Sequence, residues 1–93
     1  MSSQSNVTVY SKPGCPSCES AKRKLTQMGV TYEVKTLGKD ITPDEMFEAF
    51  DAKGWARPRT APQIVINGDL IGGYEAMLKY IEDTGFNGTG HTI

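Results

Sequence analysis

The chain has two cysteines, Cys15 and Cys18, separated by Pro16 and Ser17. A thiolate attacks disulfides, and a second thiol within reach can displace the bound partner, so this spacing suits a redox-active pair. A disulfide that served only as a staple would close a very short loop, worth about 1.9 kcal/mol against about 3 for a loop of fifteen residues. The spacing therefore favours redox chemistry over a structural bridge.

Zinc binding is the other common use of paired cysteines. A closed structural zinc site needs four nitrogen or sulfur ligands. Besides Cys15 and Cys18 the chain offers a single histidine, His91, in a glycine-rich stretch near the end of the sequence. We therefore expect no metal site and no tightly bound cofactor.

The sequence around the cysteines predicts a strand, a turn and a helix. A β-prone run, Val7 to Tyr10, leads into the turn residues Lys12-Pro13-Gly14. From Pro16 onward apolar residues recur every three or four positions, at Cys18, Ala21, Leu25 and Met28, until Gly29 ends the pattern.

This placement predicts different roles for the two thiols. Cys15 falls at the start of the helix, where unpaired N–H groups and the helix dipole lower the pKa of a thiol, and Lys12 could add to the same shift. Cys18 lies one turn later on the apolar stripe, so we expect it to be the covered, resolving thiol.

The remaining segments complete an alternating order of strands and helices. They are a strand over Tyr32 to Thr36, a helix from the capping box Thr42-Pro43-Asp44-Glu45 to Gly54, a hairpin of Ile64 to Ile66 and Leu70-Ile71 around Asn67-Gly68, and a helix from Tyr74 to before Gly85. The order β-α-β-α-β-β-α predicts an α/β fold with a four-stranded mixed sheet flanked by three helices.

Length and composition limit the possible functions. With 93 residues, 38% hydrophobic, the chain fits one domain over residues 1–93, with loose tails at 1–6 and 86–93. With a net charge of -1 the chain has no excess positive charge that would attract a polyanion, so we expect no nucleic-acid partner. No apolar run is long enough to cross a membrane, and the polar N-terminus lacks a signal peptide's features, so we expect a cytoplasmic protein.

Two separated motifs resemble those of glutaredoxins, and the resemblance extends from about Val7 to Asp83. They are Val-Thr-Val-Tyr-Ser-Lys-Pro-Gly-Cys-Pro-Ser-Cys over residues 7–18, and Thr-Ala-Pro-Gln-Ile-Val-Ile-Asn-Gly over 60–68, followed by Ile-Gly-Gly-Tyr-Glu over 71–75. The resemblance implies a thioredoxin-like fold and a monomer that reduces protein disulfides and glutathione mixed disulfides, with glutathione as the electron donor. It makes Cys15 the nucleophile and Cys18 the resolving thiol.

The resemblance also implies a glutathione site. In this family the residue before a cis-proline pairs with the cysteinyl part of glutathione, which here places Ala61 and Pro62 against Cys15. The full set of implied glutathione-binding residues is Lys12, Cys15, Pro16, Ser17, Arg59, Thr60, Ala61, Pro62, Gly73, Tyr74 and Glu75. The chain departs from the family at four of them, because Ser17, Ala61, Tyr74 and Glu75 stand where tyrosine, valine, cysteine and aspartate are common.

Two alternative functions stay open at this point. One is a redoxin that is reduced by thioredoxin reductase and serves a partner such as ribonucleotide reductase; the Arg57-Pro58 loop and the departures in the glutathione half motivate it. The other is an iron–sulfur carrier in which two chains each donate Cys15 and glutathione supplies the remaining ligands. Pro16 argues against the carrier, since cluster-binding members by resemblance usually have glycine or serine there.

Overall fold

The computed structural model describes residues 6–85, and the predicted order of elements is confirmed. The strands are β1 (Val7–Ser11), β2 (Glu33–Thr36), β3 (Gln63–Ile66) and β4 (Asp69–Gly72), and the helices are α1 (Pro16–Gln27), α2 (Pro43–Lys53) and α3 (Tyr74–Thr84). The predicted tails lie outside the described residues except for Asn6, which exchanges two hydrogen bonds with Asn67. Within residues 6–85 no helix is both long and apolar enough to span a bilayer.

The four strands form one mixed sheet in the order β2-β1-β3-β4. β1 runs parallel to β2 and antiparallel to β3, and β4 returns antiparallel to β3. The hairpin between β3 and β4 turns at Asn67 and Gly68, whose φ angles of 53° and 84° are those of the twist-matched two-residue turn that Asn-Gly favours.

Alternation along the strands divides the core between the two faces of the sheet. One cluster contains Val7, Val9, Ile64 and Ile66 from the strands with Ala21 and Leu25 of α1 and Met77 of α3. The other contains Tyr10 with Met46 and Phe50 of α2, and Trp55 packs against it. Helices α1 and α3 therefore cover one face, and α2 covers the other.

Sheet pairing positions the cysteine loop beside a second loop. The register pairs Tyr10, near the end of β1, with Gln63, the first residue of β3. Because the two strands are antiparallel, the chain leaves β1 and enters β3 at the same end of the sheet. The Ala61–Pro62 bond immediately before β3 is cis, as the resemblance implies. This end of the sheet therefore brings Cys15 next to the Ala61-Pro62 segment from a distant part of the sequence.

The start of α2 is the predicted capping box. Thr42 Oγ1 accepts the N–H of Glu45 at 3.1 Å, and the Glu45 carboxylate accepts the N–H of Thr42 at 2.8 Å. The bonds from Thr42 lower the pKa of Glu45 below its ordinary value. The ionised carboxylate thus stabilises the fold above the unfolded pKa, and this contribution disappears as the pH falls through the lowered pKa.

We predict that Thr42→Ala lowers the free energy of unfolding by about 1 kcal/mol, because the N–H of Glu45 loses its side-chain partner. Urea unfolding followed by circular dichroism measures the change. Thr42→Ser, which keeps the hydroxyl, is the matched control and should lie close to the parent protein. Equal stability of the alanine and serine variants would contradict a role for this cap.

Candidate functional site

Cys15 and Cys18 are joined in a disulfide across the first turn of α1, with their Cα atoms 5.2 Å apart. Cys15 is the N-cap residue, and its Sγ accepts the N–H of Cys18 at 3.2 Å. Cys15 is 7% exposed and Cys18 is 0% exposed. Of the two sulfurs, the one at the helix start is therefore the one that a substrate can reach.

The environment of Cys15 favours a thiolate. Pro16, the first helical residue, carries no N–H, so the nearest directed donor is the amide of Cys18. The carbonyl oxygen of Ala61 lies 3.5 Å from Cys15 Sγ, and its partial negative charge opposes ionisation. The amide is closer to the sulfur and is reinforced by the positive end of the helix dipole. We therefore expect the reduced protein to have a Cys15 pKa below the ordinary value.

Two chain segments meet at this sulfur, and a third lies beside the second of them. The first is the start of α1, and the second is the Ala61-Pro62 segment, which touches Cys15 through the Ala61 carbonyl. The third is the start of α3, where a Cβ placed on Gly73 would lie 3.7 Å from the carbonyl oxygen of Pro62. Gly73 is the N-cap of α3 and has no side-chain cap, so the first N–H groups of that helix remain available next to Pro62.

Four of the predicted glutathione-binding residues, Lys12, Arg59, Thr60 and Ala61, line a cavity of about 190 Å³. The amide of Gln63 donates to the carbonyl oxygen of Thr60 at 2.9 Å and so fixes this part of the wall. Lys12 and Arg59 are exposed, and neither forms an ion pair within residues 6–85. The cavity beside Cys15 therefore has two uncompensated positive charges.

Other predicted residues lie around this centre. Pro16 and Ser17 are exposed on the first turn of α1, and Glu75 is exposed on the first turn of α3. Tyr74 is half-buried, and it lines a separate cavity with Ser20, Arg23, Lys24 and Gln27 of α1. The structure thus places Gly73 near Pro62 but does not bring the Tyr74 side chain into the cavity that Lys12 and Arg59 line.

The cavity lined by Lys12 and Arg59 also has apolar lining residues, and the sequence did not predict their part in the site. Phe47 is one of them and is half-buried, outside both core clusters. The helical pattern predicts only that Phe47 lies on the apolar side of α2, next to the buried Phe50. No local signal distinguishes a core aromatic residue from one that lines a cavity.

Comparison with known proteins agrees with this geometry. The glutaredoxin family model matches residues 7–71, which include both cysteines, the cis-proline and all of the hairpin except Gly72. The chain belongs to the glutaredoxin family. Its members are thiol–disulfide oxidoreductases, so the cysteine pair at the start of α1 is an enzyme's redox centre.

Individual relatives support the same family. A glutaredoxin of Ricinus communis is 36% identical over 74 residues, which are 80% of this chain and 71% of that protein. A hybrid peroxiredoxin of Haemophilus influenzae is 34% identical over 83% of this chain, which spans only 30% of that longer protein. The crystal structure of a buckwheat glutaredoxin–glutathione complex is 28% identical with a TM-score of 0.68, over 83% of this chain and 68% of that one. The thioredoxin-like fold is thereby confirmed.

We predict that in the reduced protein the pKa of Cys15 lies below that of a free cysteine, because the Cys18 N–H and the start of α1 stabilise the thiolate. The rate of alkylation by iodoacetamide, followed against pH by mass spectrometry, gives this pKa. Cys18→Ser is the appropriate background, because it leaves one thiol to alkylate and retains the backbone N–H at position 18. An inflection at the pH expected for a free cysteine would show that the start of α1 does not stabilise the thiolate.

Proposed function

We propose that the protein reduces protein disulfides and glutathione mixed disulfides by a dithiol mechanism and is itself reduced by glutathione. The observation that carries this proposal is the cavity lined by Lys12, Arg59 and Ala61, of which Ala61 contacts the Cys15 sulfur through its carbonyl oxygen. A thiol with two carboxylates suits such a site, since its sulfur would lie at Cys15 beside Ala61 and one carboxylate would pair with the two cations. The similar buckwheat protein is described as a complex with glutathione.

The two ends of glutathione would bind to different parts of the site. We assign the glycine carboxylate to Lys12 and Arg59, whose charges are uncompensated. We assign the γ-glutamyl carboxylate to the start of α3, because uncapped N–H groups and the helix dipole favour an anion there. Ala61 would pair through its backbone with the cysteinyl residue between them.

The reaction begins when the Cys15 thiolate attacks one sulfur of the substrate disulfide. A bond forms between Cys15 Sγ and that sulfur, the substrate S–S bond breaks, and the other half leaves as a thiolate that takes up a proton. Cys18 then loses its proton and attacks Cys15 Sγ, which releases the second substrate thiol and forms the Cys15–Cys18 disulfide. Two glutathione molecules restore the dithiol and leave as glutathione disulfide.

A low pKa assists this cycle mainly when Cys15 departs. Lowering the pKa increases the fraction of thiolate at neutral pH, but the nucleophilicity of that thiolate falls by a comparable factor. As a leaving group, the more acidic thiol departs faster. The stabilised Cys15 sulfur is thus well suited to the step in which glutathione attacks the glutathione sulfur of a Cys15 mixed disulfide and Cys15 leaves as the thiolate.

We predict that Cys15→Ser abolishes turnover with glutathione, glutathione reductase and a glutathione mixed disulfide, because the nucleophile is lost. Cys18→Ser should retain part of that activity, since free glutathione can resolve the mixed disulfide, while losing reduction of a protein disulfide. Ser20→Ala, one turn further along α1 and outside the implied glutathione-binding set, is the control and keeps both thiols. Turnover by Cys15→Ser would refute the assignment of the nucleophile.

We predict that Lys12→Gln and Arg59→Gln each raise the KM for glutathione by about threefold, the size expected for one exposed ion pair. The effect should diminish at high salt because exposed charge pairs are screened. Steady-state kinetics at low and high ionic strength measure both effects. Lys79→Gln, which removes an exposed charge from α3, is the control. A KM unchanged in both variants would exclude these cations from the glutathione site.

The source of electrons separates this proposal from a thioredoxin-reductase-dependent redoxin. The oxidised protein is mixed with glutathione and glutathione reductase or with thioredoxin reductase, and NADPH consumption is followed in each case. Our proposal requires efficient reduction by the glutathione system. Reduction by thioredoxin reductase alone would favour the redoxin instead. A visible absorbance after anaerobic reconstitution with iron and sulfide would support the iron–sulfur carrier.

A further inference from the structure

The cavity beside Cys15 has an apolar half that glutathione does not explain. Its far wall is formed by Leu37, Pro43, Met46, Phe47 and Pro58, and these five side chains are called the apolar wall below. They come from α2 and from the loops on either side of it. If the glycine of glutathione lies between Lys12 and Arg59, it brings no side chain to this wall, because glycine has none.

The apolar wall is held in place before any ligand binds. Met46 is only 3% exposed and anchors it to the core cluster beneath α2. The guanidinium of Arg57 lies 5.3 Å from the centre of the Phe47 ring and covers part of it. Arg57 is itself fixed by two hydrogen bonds to Asp51, at 2.8 and 3.3 Å. A surface ordered in advance loses less conformational entropy on binding than a mobile one.

The charges at the opening of the cavity restrict what can enter. Arg57 is neutralised by Asp51, whereas Lys12 and Arg59 have no ion-pair partner in the described part of the chain. An occupant that places a carboxylate near these two cations and an apolar group against the wall complements both halves. A purely apolar occupant would leave the cations unpaired, and a purely acidic one would leave the wall exposed to water.

We propose that this cavity is a specificity site for polypeptide disulfides in which a large apolar side chain, and then an acidic one, follow the reactive cysteine. The inference deepens the proposed function and rests on it. The proposed binding of glutathione sets the chain direction of the peptide, in which the residue after the cysteine takes the place of the glycine of glutathione. Ala61 belongs to the cavity and contacts Cys15 Sγ, so a substrate sulfur at Cys15 has its next residue at the cavity opening. The apolar side chain then lies against Phe47.

The chemistry is that of the proposed cycle, with a peptide disulfide as oxidant. Cys15 forms a bond to the sulfur of one peptide as the peptide S–S bond breaks, and the other peptide leaves as a thiol after protonation. Cys18 displaces the first peptide as a second thiol, so the protein dithiol is oxidised by two electrons while one disulfide is reduced to two thiols.

The test uses the fully reduced protein in single turnover, without glutathione. Three symmetrical disulfides of blocked peptides are compared: Ser-Cys-Leu-Glu, Ser-Cys-Gly-Glu and Ser-Cys-Leu-Lys. We expect the leucine–glutamate peptide to react with a second-order rate constant about tenfold above that of the glycine peptide. The reason is that partial burial of the leucine side chain against the apolar wall stabilises the bound peptide. We expect it to exceed the lysine peptide by about fivefold at low salt, a difference that salt reduces.

Variants then locate the effect. Phe47→Ala should bring the leucine-to-glycine ratio close to one, and Phe47→Leu, which keeps an apolar side chain, should preserve most of it. Leu78→Ala, a truncation of a half-buried side chain on α3, is the matched control and should leave the ratio unchanged. Circular dichroism checks that each variant is folded, and the comparison of peptides on the parent protein needs no variant.

The outcomes separate this inference from the proposed function. A leucine-to-glycine ratio near one on the parent protein, or a ratio unaffected by Phe47→Ala, overturns the specificity site even when glutathione reduces the protein normally. Failure of glutathione to reduce the protein refutes the proposed electron donor without altering the peptide ratios. Rate constants that fall for all peptides as protein concentration rises would show a second copy covering the cavity, and this too overturns the inference.

Discussion

The hydrogen bond from the Cys18 amide to the Cys15 sulfur connects the fold of this glutaredoxin to its chemistry. The first turn of a helix has N–H groups without intrahelical partners, and serine or aspartate oxygens usually accept one of them. Here sulfur occupies that position. A thiolate accepts such a bond better than a thiol does, so ionisation of Cys15 and formation of the helix start stabilise each other. The Ala61-Pro62 segment and the cavity lined by Lys12 and Arg59 would position the substrate sulfur against Cys15.

Local chemistry was sufficient to predict the elements around that bond. The apolar spacing from Cys18 to Met28 gave α1, the capping box at Thr42 gave the first turn of α2, and Asn67-Gly68 gave the hairpin. Each of these signals acts over a few residues, through side-chain periodicity or a specific backbone conformation. For the same reason the covered position of Cys18 followed directly from its place on the α1 stripe.

Features that depend on tertiary packing could not be predicted in this way. The contact between Cys15 and the Ala61 carbonyl joins residues far apart in the chain, and only the resemblance to a family suggested it. Tyr74 follows Gly73 in sequence, but its side chain faces α1 instead of the Lys12 cavity, and helix orientation alone decides this. The Asp51–Arg57 pair depends on the path of the loop after α2, which has no periodic pattern.

The division of the core between the two faces of the sheet separates the packing of α1 from the packing of α2. The redox helix packs with Val9 and Met77 on one side, whereas α2 packs with Tyr10 on the other, and the two helices belong to separate clusters. Outward-facing positions of α2 can therefore change during evolution without disturbing the packing of the reactive sulfur. Related proteins with this fold can in this way differ in their protein substrates while they keep the same thiol–disulfide exchange.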